Sequence, residues 1–129
     1  MGGNLSGRQE HTRLPVTVAA SEGCLHGIDY AMPIASAQVK SAILLATLFA
    51  RPETQTHLQE PLASRDHTER LLEGMGAKLY RGEGHQLYMP GGQAGDLQPM
   101  EFRIPGDPSS AAFPLVAALL VPGSEIRIE

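Results

Sequence analysis

An apolar run over residues 36–50, uninterrupted by proline or glycine, limits the architecture of this chain more than any other segment. Its apolar side chains fall on almost every side of a helix: Val39, Ala42, Ile43, Leu44, Leu45, Ala46, Leu48 and Phe49. A helix that is apolar all round is a buried one. The polar side chains are confined to the first turns: Ser36, Gln38, Lys40 and Ser41. Only this end of the helix is therefore expected to face solvent or a ligand.

Segments with alternating or threonine-rich patterns around this helix predict β-strands. They are residues 15–19, 27–32, 53–60, 100–104 and 125–129, together with a hairpin made of 78–80 and 86–89. A turn is expected at residues 21–23, a loop at 91–98 and no regular element at 1–12. The mixture of strands and helices predicts the α/β class.

A second helix is predicted from the signals at its two ends. Asp66 followed by Glu69 has the spacing of a capping box, in which both side chains bond the first turn of the helix. Gly76 suits a C-terminal cap, because glycine adopts the left-handed conformation found there.

A third helix is predicted over residues 109–121. Asp107 is expected to cap it, and Pro108 suits its first position, where no backbone N–H is needed. Pro114 lies inside this segment, so a kink or a later start is expected. Residues 33–57 and 105–129 share an order of proline, hydroxyl residues, apolar helix, proline and strand, which predicts that the chain is part of a longer repeated structure.

Length, charge and cysteine usage exclude several classes of protein. The 129 residues, 42% of them hydrophobic, are typical of one globular domain or slightly more. Cys24 is the only cysteine, which excludes an internal disulfide and favours a reducing compartment. The net charge of −4 argues against nucleic-acid binding. Because no segment has the roughly 20 apolar residues of a membrane span, we predict a cytoplasmic protein that binds no membrane.

The start of the apolar helix is the strongest candidate site in the sequence. Pro33 breaks the preceding strand, and Ser36 lies near the N-cap of the helix. Free backbone N–H groups and the positive end of the helix dipole attract phosphate or carboxylate there. Lys40 adds a positive charge within the first turns. The alternative, that Ser36 only caps the helix, stays open.

Arg65 is a second candidate anion contact, because its planar guanidinium precedes the helix that starts at Asp66. His67 could pair with Asp66, although neighbours in sequence do not necessarily face one another. Asp107 would repel an anion, so a cap or hinge is favoured there. The histidines are too scattered to predict a metal site: His11, His26, His57, His67 and His85.

Four stretches resemble a known family over nearly the whole chain. They are Leu-Pro-Val-Thr-Val at 14–18, Met-Pro-Ile-Ala-Ser-Ala-Gln-Val-Lys-Ser-Ala at 32–42, Ser-Arg-Asp-His-Thr-Glu-Arg at 64–70, and Ile-Pro-Gly-Asp-Pro-Ser-Ser-Ala-Ala-Phe-Pro-Leu-Val-Ala-Ala at 104–118. In them the chain resembles the enolpyruvyl transferases, specifically the 5-enolpyruvylshikimate-3-phosphate synthases of the bacterial class noted for glyphosate tolerance. The Ser-Ala-Gln and Ser-Arg-Asp-His-Thr-Glu runs favour this family over the UDP-sugar enolpyruvyl transferases.

The resemblance implies the enolpyruvyl transferase fold, an inside-out α/β barrel of βαβαββ units with buried helices and sheets outside. This chain would form an incomplete part of it. Residues 1–104 would belong to the first (N-terminal) synthase domain and include about one full βαβαββ unit. Residues 105–129 would form the crossover between domains, with Asp107 in it, and the start of the next unit.

The resemblance also implies an activity, the transfer of the enolpyruvyl group from phosphoenolpyruvate to the 5-hydroxyl of shikimate 3-phosphate in the pathway to aromatic amino acids. No metal or organic cofactor is implied. The family's shikimate 3-phosphate contacts fall on Ser36, Ala37, Gln38 and Arg65, and Gln38 also contacts the phosphoenolpyruvate side.

Other parts of the family's site have no counterpart in this sequence. They are its N-terminal lysine and arginine motif, its Asn-Ala-Gly-Thr loop, and its later aspartate, lysine and arginine catalytic residues. The resemblance therefore implies a fragment of the transferase that contains no catalytic residue and is inactive by itself. Two alternatives stay open: half of a split synthase that needs the missing remainder as a complementary chain, and a stand-alone module that binds phosphorylated anions.

Overall fold

The structure is a computed structural model that describes residues 1–11, 13–19 and 25–128. Its elements, in chain order, are β1 (Asn4–Gly7), α1 (Arg8–His11), β2 (Arg13–Ala19), β3 (Asp29–Ala31), α2 (Ala37–Thr47), β4 (Gln55–Gln59), α3 (His67–Gly74), β5 (Tyr80–Arg81), β6 (Gln86–Pro90) and α4 (Pro108–Leu120). The turn predicted at residues 21–23 and the single cysteine, Cys24, lie outside the described residues.

Four strands form one mixed sheet in the order β3-β4-β6-β5. β3 and β4 run parallel, with Asp29 opposite His57 and Ala31 opposite Gln59. β6 pairs antiparallel with β4 on one side and with β5 on the other, so that β5 and β6 form the predicted hairpin. From β3 to β6 the elements follow the order βαβαββ, which is the unit that the family resemblance implies.

The apolar core lies where α2 and α3 pack against this sheet. Its buried members come from both helices and from β4 and β6: Leu44, Leu48, Leu58, Leu72, Ala77, Leu79, Leu87 and Met89. Thr56 and Leu58 of β4 are buried, whereas Gln55 is exposed, because successive side chains of a strand point to opposite faces.

Helix α2 is buried on one side only. Leu44 is 1% exposed, but Val39 is 42% and Leu45 is 48% exposed. The prediction of a helix buried all round is therefore wrong for this chain. The physical reason is that one sheet covers one side of the helix, and the described residues form no closed barrel.

Of the two caps predicted for α3, the one at its C-terminal end forms and the one at its N-terminal end does not. Gly76 has a φ of +92°, and its N–H donates to the carbonyl of Glu73, while the N–H of Ala77 donates to that of Leu72. These bonds form a Schellman motif, which confirms the predicted glycine cap. The predicted capping box is wrong, because Asp66 is the N-cap without a side-chain capping bond.

Helix α4 begins as predicted. The carboxylate of Asp107 accepts hydrogen bonds from the backbone N–H groups of Ser109 and Ser110, at 3.0 and 3.2 Å. The helix starts at Pro108 and continues through Pro114, so the later start is excluded. α4 has no buried residue and packs against no other helix or strand of the described chain.

Two predicted strands do not form. Residues 100–104 and 125–128 have no regular structure, and residue 129 lies outside the described residues. An alternating pattern becomes a strand only where another strand bonds its backbone, and these segments pair with none of the described strands. Conversely, residues 4–7, which were expected to be irregular, form β1 because β2 lies beside them as a partner.

Candidate functional site

Helices α2 and α3 begin at the same edge of the sheet. β3 and β4 are parallel neighbours, α2 follows the carboxyl end of β3, and α3 follows that of β4. A side-chain contact joins the first turns of the two helices, because the hydroxyl oxygens of Ser41 and Thr68 lie 2.6 Å apart. In open α/β sheets, ligands bind beyond the carboxyl ends of the strands. This edge therefore holds the candidate site.

Ser36 is the N-cap of α2. Its hydroxyl oxygen accepts from the N–H of Val39 at 3.4 Å, and the hydroxyl donates to Oε1 of Gln38, also at 3.4 Å. Both distances are long for hydrogen bonds, so these contacts are weak enough to exchange for others. Ser36 and Ala37 are half-buried and Gln38 is exposed, so the first turn is open to solvent.

Arg65 is exposed and directly precedes the N-cap of α3. Hydrogen bonds from Ser110 and Ser109 hold the pKa of Asp107 below its ordinary value, and the nearby positive charge of Arg65 contributes to the same shift. In the sequence, the guanidinium belongs to the residue just before the start of α3. Among the described residues, no hydrogen bond joins Arg65 to Ser36 or Gln38. The three residues have in common that they lie at the edge of the sheet where α2 and α3 begin.

The position of Lys40 in the first turns of α2 suggests that its charge faces a ligand, but the structure shows that it does not. Its side chain is 2% exposed, and Nζ lies 2.9 Å from Oε2 of Glu60 and 2.6 Å from Oε1 of Glu69. Burial by itself lowers the pKa of Lys40, but the hydrogen bonds to Glu69 and Glu60 outweigh it, so the pKa is raised. A buried ammonium must be paired, and these two carboxylates pair it. The lysine therefore offers no charge to an anion.

The buried ion cluster of Lys40, Glu60 and Glu69 was not predicted from the sequence. A lysine in an otherwise apolar helix was the available signal, since a buried charge requires a partner. The partners could not be found from spacing, because they come from the end of β4 and from α3. Glu69 instead fitted a local capping box, which the structure excludes.

A cleft of about 210 Å³ opens beside the buried ion cluster. It is lined by groups of both charges and by polar and apolar side chains: Lys40, Glu60, Ala63, Ser64, Asp66, Glu69, Arg81, Gly82, His85, Gln86 and Leu87. Two of the charged groups on its wall have other partners. Arg81 pairs with Glu73 at 2.5 and 3.0 Å, and Asp66 accepts from Nε of Arg70 at 2.8 Å.

His67 begins α3 at this edge and His85 lines the cleft, whereas His57 of β4 forms contacts within the sheet. His57 stacks on Tyr88 with ring centroids 4.4 Å apart, and its Nδ1 lies 3.3 Å from Oδ1 of Asp29. Within the described ranges, no cluster of three or more histidine, cysteine or acidic side chains is arranged to hold a metal ion. Across those same ranges, no helix combines the length and apolarity that crossing a membrane would require.

The sequence of this chain is similar to known enzymes of one kind. The sequence profile of EPSP synthase (3-phosphoshikimate 1-carboxyvinyltransferase) matches residues 1–129. Two relatives are each 50% identical to this chain: the 3-phosphoshikimate 1-carboxyvinyltransferases of Bacillus thuringiensis subsp. konkukian (strain 97-27) and Bacillus anthracis (strain A0248). These matches cover 100% of this chain and 28% of each relative.

Solved structures agree with the sequence relatives. The structure of EPSP synthase from Acinetobacter baumannii matches 92% of this chain with a TM-score of 0.72 and 41% identity, and the match covers 25% of that enzyme. The chain thus spans about a quarter of the length of its relatives. Since the profile matches from the first residue to the last, the chain belongs to the EPSP synthase family.

Proposed function

We propose that this chain is a segment of a 3-phosphoshikimate 1-carboxyvinyltransferase and carries part of its shikimate 3-phosphate site. The whole enzyme would transfer the enolpyruvyl group of phosphoenolpyruvate to the 5-hydroxyl of shikimate 3-phosphate. The observation that carries the proposal is the common edge at which α2 and α3 begin, with Ser36, Ala37, Gln38 and Arg65 beside it.

The chemistry of this edge suits a phosphate ester. Backbone N–H groups at a helix N-terminus bind phosphate oxygens, and the helix dipole favours negative charge there. Arg65 supplies a guanidinium that can donate two parallel hydrogen bonds to a phosphate. Gln38 is exposed in the first turn of α2 and has an amide that can bond a ring hydroxyl or a second anion such as phosphoenolpyruvate.

The chain by itself should bind without catalysing the reaction. Enolpyruvyl transfer requires proton transfer at the reacting carbon by a group within hydrogen-bond reach. The four residues proposed to bind shikimate 3-phosphate, a serine, an alanine, a glutamine and an arginine, supply no acid or base of their own near neutral pH. The catalytic groups would come from the remainder of the synthase, which is the partner that we propose for this chain.

Three further parts of the proposal concern its context. Residues 1–104 would belong to the first domain of the synthase, and residues 105–129 to the crossover and the next unit. This division is supported by α4, which packs against none of the other described elements. The protein would act in the cytoplasm. Membership of the bacterial class noted for glyphosate tolerance stays a prediction.

Amide chemical shifts during a titration with shikimate 3-phosphate test the binding site. The expected result is saturable shifts at Ser36, Gln38 and Arg65, with an affinity in the millimolar range. Each absent charge-assisted hydrogen bond of the full site costs about 1.5–3 kcal/mol, so tight binding is not expected. Arg65→Gln should weaken the response. Arg70→Gln is the matched control, because Arg70 is a nearby exposed arginine already paired with Asp66.

Phosphate release from phosphoenolpyruvate and shikimate 3-phosphate distinguishes the remaining alternatives. We expect none from the chain alone, and turnover by the purified chain would refute the fragment proposal. Activity regained on mixing with the missing segments would favour a split synthase. Equal shifts with shikimate 3-phosphate and inorganic phosphate would favour a general module for phosphorylated anions. An absence of shifts at the helix starts would overturn the proposed site.

A further inference from the structure

The two helix starts of the proposed site are joined by buried charges. The buried ion cluster takes Lys40 from α2, Glu60 from the residue after β4, and Glu69 from α3. All three residues are at most 4% exposed. The cluster therefore links three elements at one point, beside the edge where α2 and α3 begin.

The cluster is connected to both sides of the proposed phosphate site by short chains of contacts. On the α2 side, the N–H of Lys40 donates to the carbonyl of Ser36 at 3.0 Å. On the α3 side, the hydroxyl of Ser64 donates to Oε1 of Glu60 at 2.5 Å, and Ser64 directly precedes Arg65. A shift of the cluster would thus move the two halves of the site relative to each other.

We propose that Lys40, Glu60 and Glu69 are positioning residues, whose ion pairs set the distance between the starts of α2 and α3 and thereby the geometry of the phosphate site. The part of this inference that concerns the phosphate site rests on the proposed function. Hydrogen-bonded charges are directional, whereas apolar contacts between two helices allow several arrangements of similar energy. Phosphate recognition by groups on two helices depends on that arrangement.

A merely structural role predicts a different outcome from a positioning role. Well-packed apolar residues often replace a buried ion cluster without loss of stability. The triple substitution Lys40→Met, Glu60→Leu and Glu69→Leu therefore separates the two roles, since it removes every charge of the cluster together. The single substitution Glu69→Gln leaves the pair of Lys40 and Glu60 in place and serves if the triple variant does not fold.

The matched control is Glu73→Gln. Glu73 lies on the same helix as Glu69 and also forms an ion pair, but this pair with Arg81 is partly exposed and Glu73 lies at the other end of α3. The first measurement needs no ligand: residual dipolar couplings and nuclear Overhauser effects between the first turns of α2 and α3, including Ser41 and Thr68. The second is the amide-shift titration of the 129-residue chain with shikimate 3-phosphate.

We expect changed couplings between α2 and α3 in the triple variant and in Glu69→Gln, and an affinity lower by about tenfold or more, as for the loss of one charged hydrogen bond. Glu73→Gln should leave both measurements unchanged. Unchanged couplings in a folded triple variant would overturn the inference, as would changed couplings with unchanged affinity. A wild-type chain that does not respond to shikimate 3-phosphate would overturn the proposed function instead, and the couplings would still decide whether the ion pairs set the helix positions.

Discussion

Nζ of Lys40 lies 2.6 Å from Oε1 of Glu69, and the two side chains are only 2% and 3% exposed. The contact crosses from α2 to α3 at the end where both helices begin. The second carboxylate oxygen of Glu69 has no hydrogen-bond partner among the described residues, so the ammonium of Lys40 is the group that compensates this buried charge. The local stability of the helix starts therefore depends on one lysine.

Lys40→Met should lower the free energy of unfolding by about 3–5 kcal/mol, because it leaves two carboxylates buried without a counter-charge. Urea denaturation followed by circular dichroism measures the change. Arg81→Met is the control, since its ion pair with Glu73 is half exposed and such pairs contribute about 0–1 kcal/mol. Equal losses in the two variants would contradict the assignment of the buried ion cluster.

The pH dependence of stability should carry the signature of the same lysine. The pKa of Lys40 is raised above 10.5 in the folded chain, so its contribution is complete below pH 10.5 and is lost as the pH rises through the raised value. The free energy of unfolding should therefore fall above pH 10.5 more steeply in the wild type than in Lys40→Met. Urea titrations at neutral and alkaline pH measure the difference, and parallel curves for the two proteins would disprove it.

The sequence predicted some of the helix caps and the hairpin correctly, because each depends on only a few neighbouring residues. The glycine cap at Gly76 and the N-cap at Asp107 formed as expected, because each is settled by hydrogen bonds within one turn of helix. The hairpin of β5 and β6 is equally local. At the proposed site, the N-cap position of Ser36 was available in the sequence for the same reason.

Contacts between distant segments were not predictable in this way. Glu69 has the spacing of a capping residue, but the burial of Lys40 draws it into the core. Residues 100–104 alternate like a strand, yet pair with no strand in the described part of the chain. The exposed side of α2 was also not predictable from the helix itself. An apolar pattern on every side of a helix indicates burial only when other segments are present to cover that helix.

Gly27→Ala should destabilise the βαβαββ unit. A Cβ at Gly27 would overlap the backbone carbonyl of Gln55 in β4, and backbone paired in a sheet cannot move aside as a flexible side chain can. Overpacking of this kind costs about 1–3 kcal/mol, which thermal or urea denaturation would detect. Gly95→Ala is the control, because nothing lies within 4 Å of its added Cβ. A fully stable Gly27→Ala chain would show that Gly27 and Gln55 are not this close.

Removal of residues 107–129 should leave the stability of the preceding chain almost unchanged. α4 packs against no other described element, and its apolar side chains face outwards, with Phe113 and Leu119 81% and 85% exposed. The truncated and complete chains should therefore unfold with free energies equal within about 0.5 kcal/mol, as expected for changes outside a packed core.

The truncated chain should also self-associate less, since large exposed apolar patches promote association. Urea denaturation and sedimentation velocity measure the two effects. A stability loss well above 0.5 kcal/mol would mean that the proposed boundary at residue 104 cuts through a packed unit.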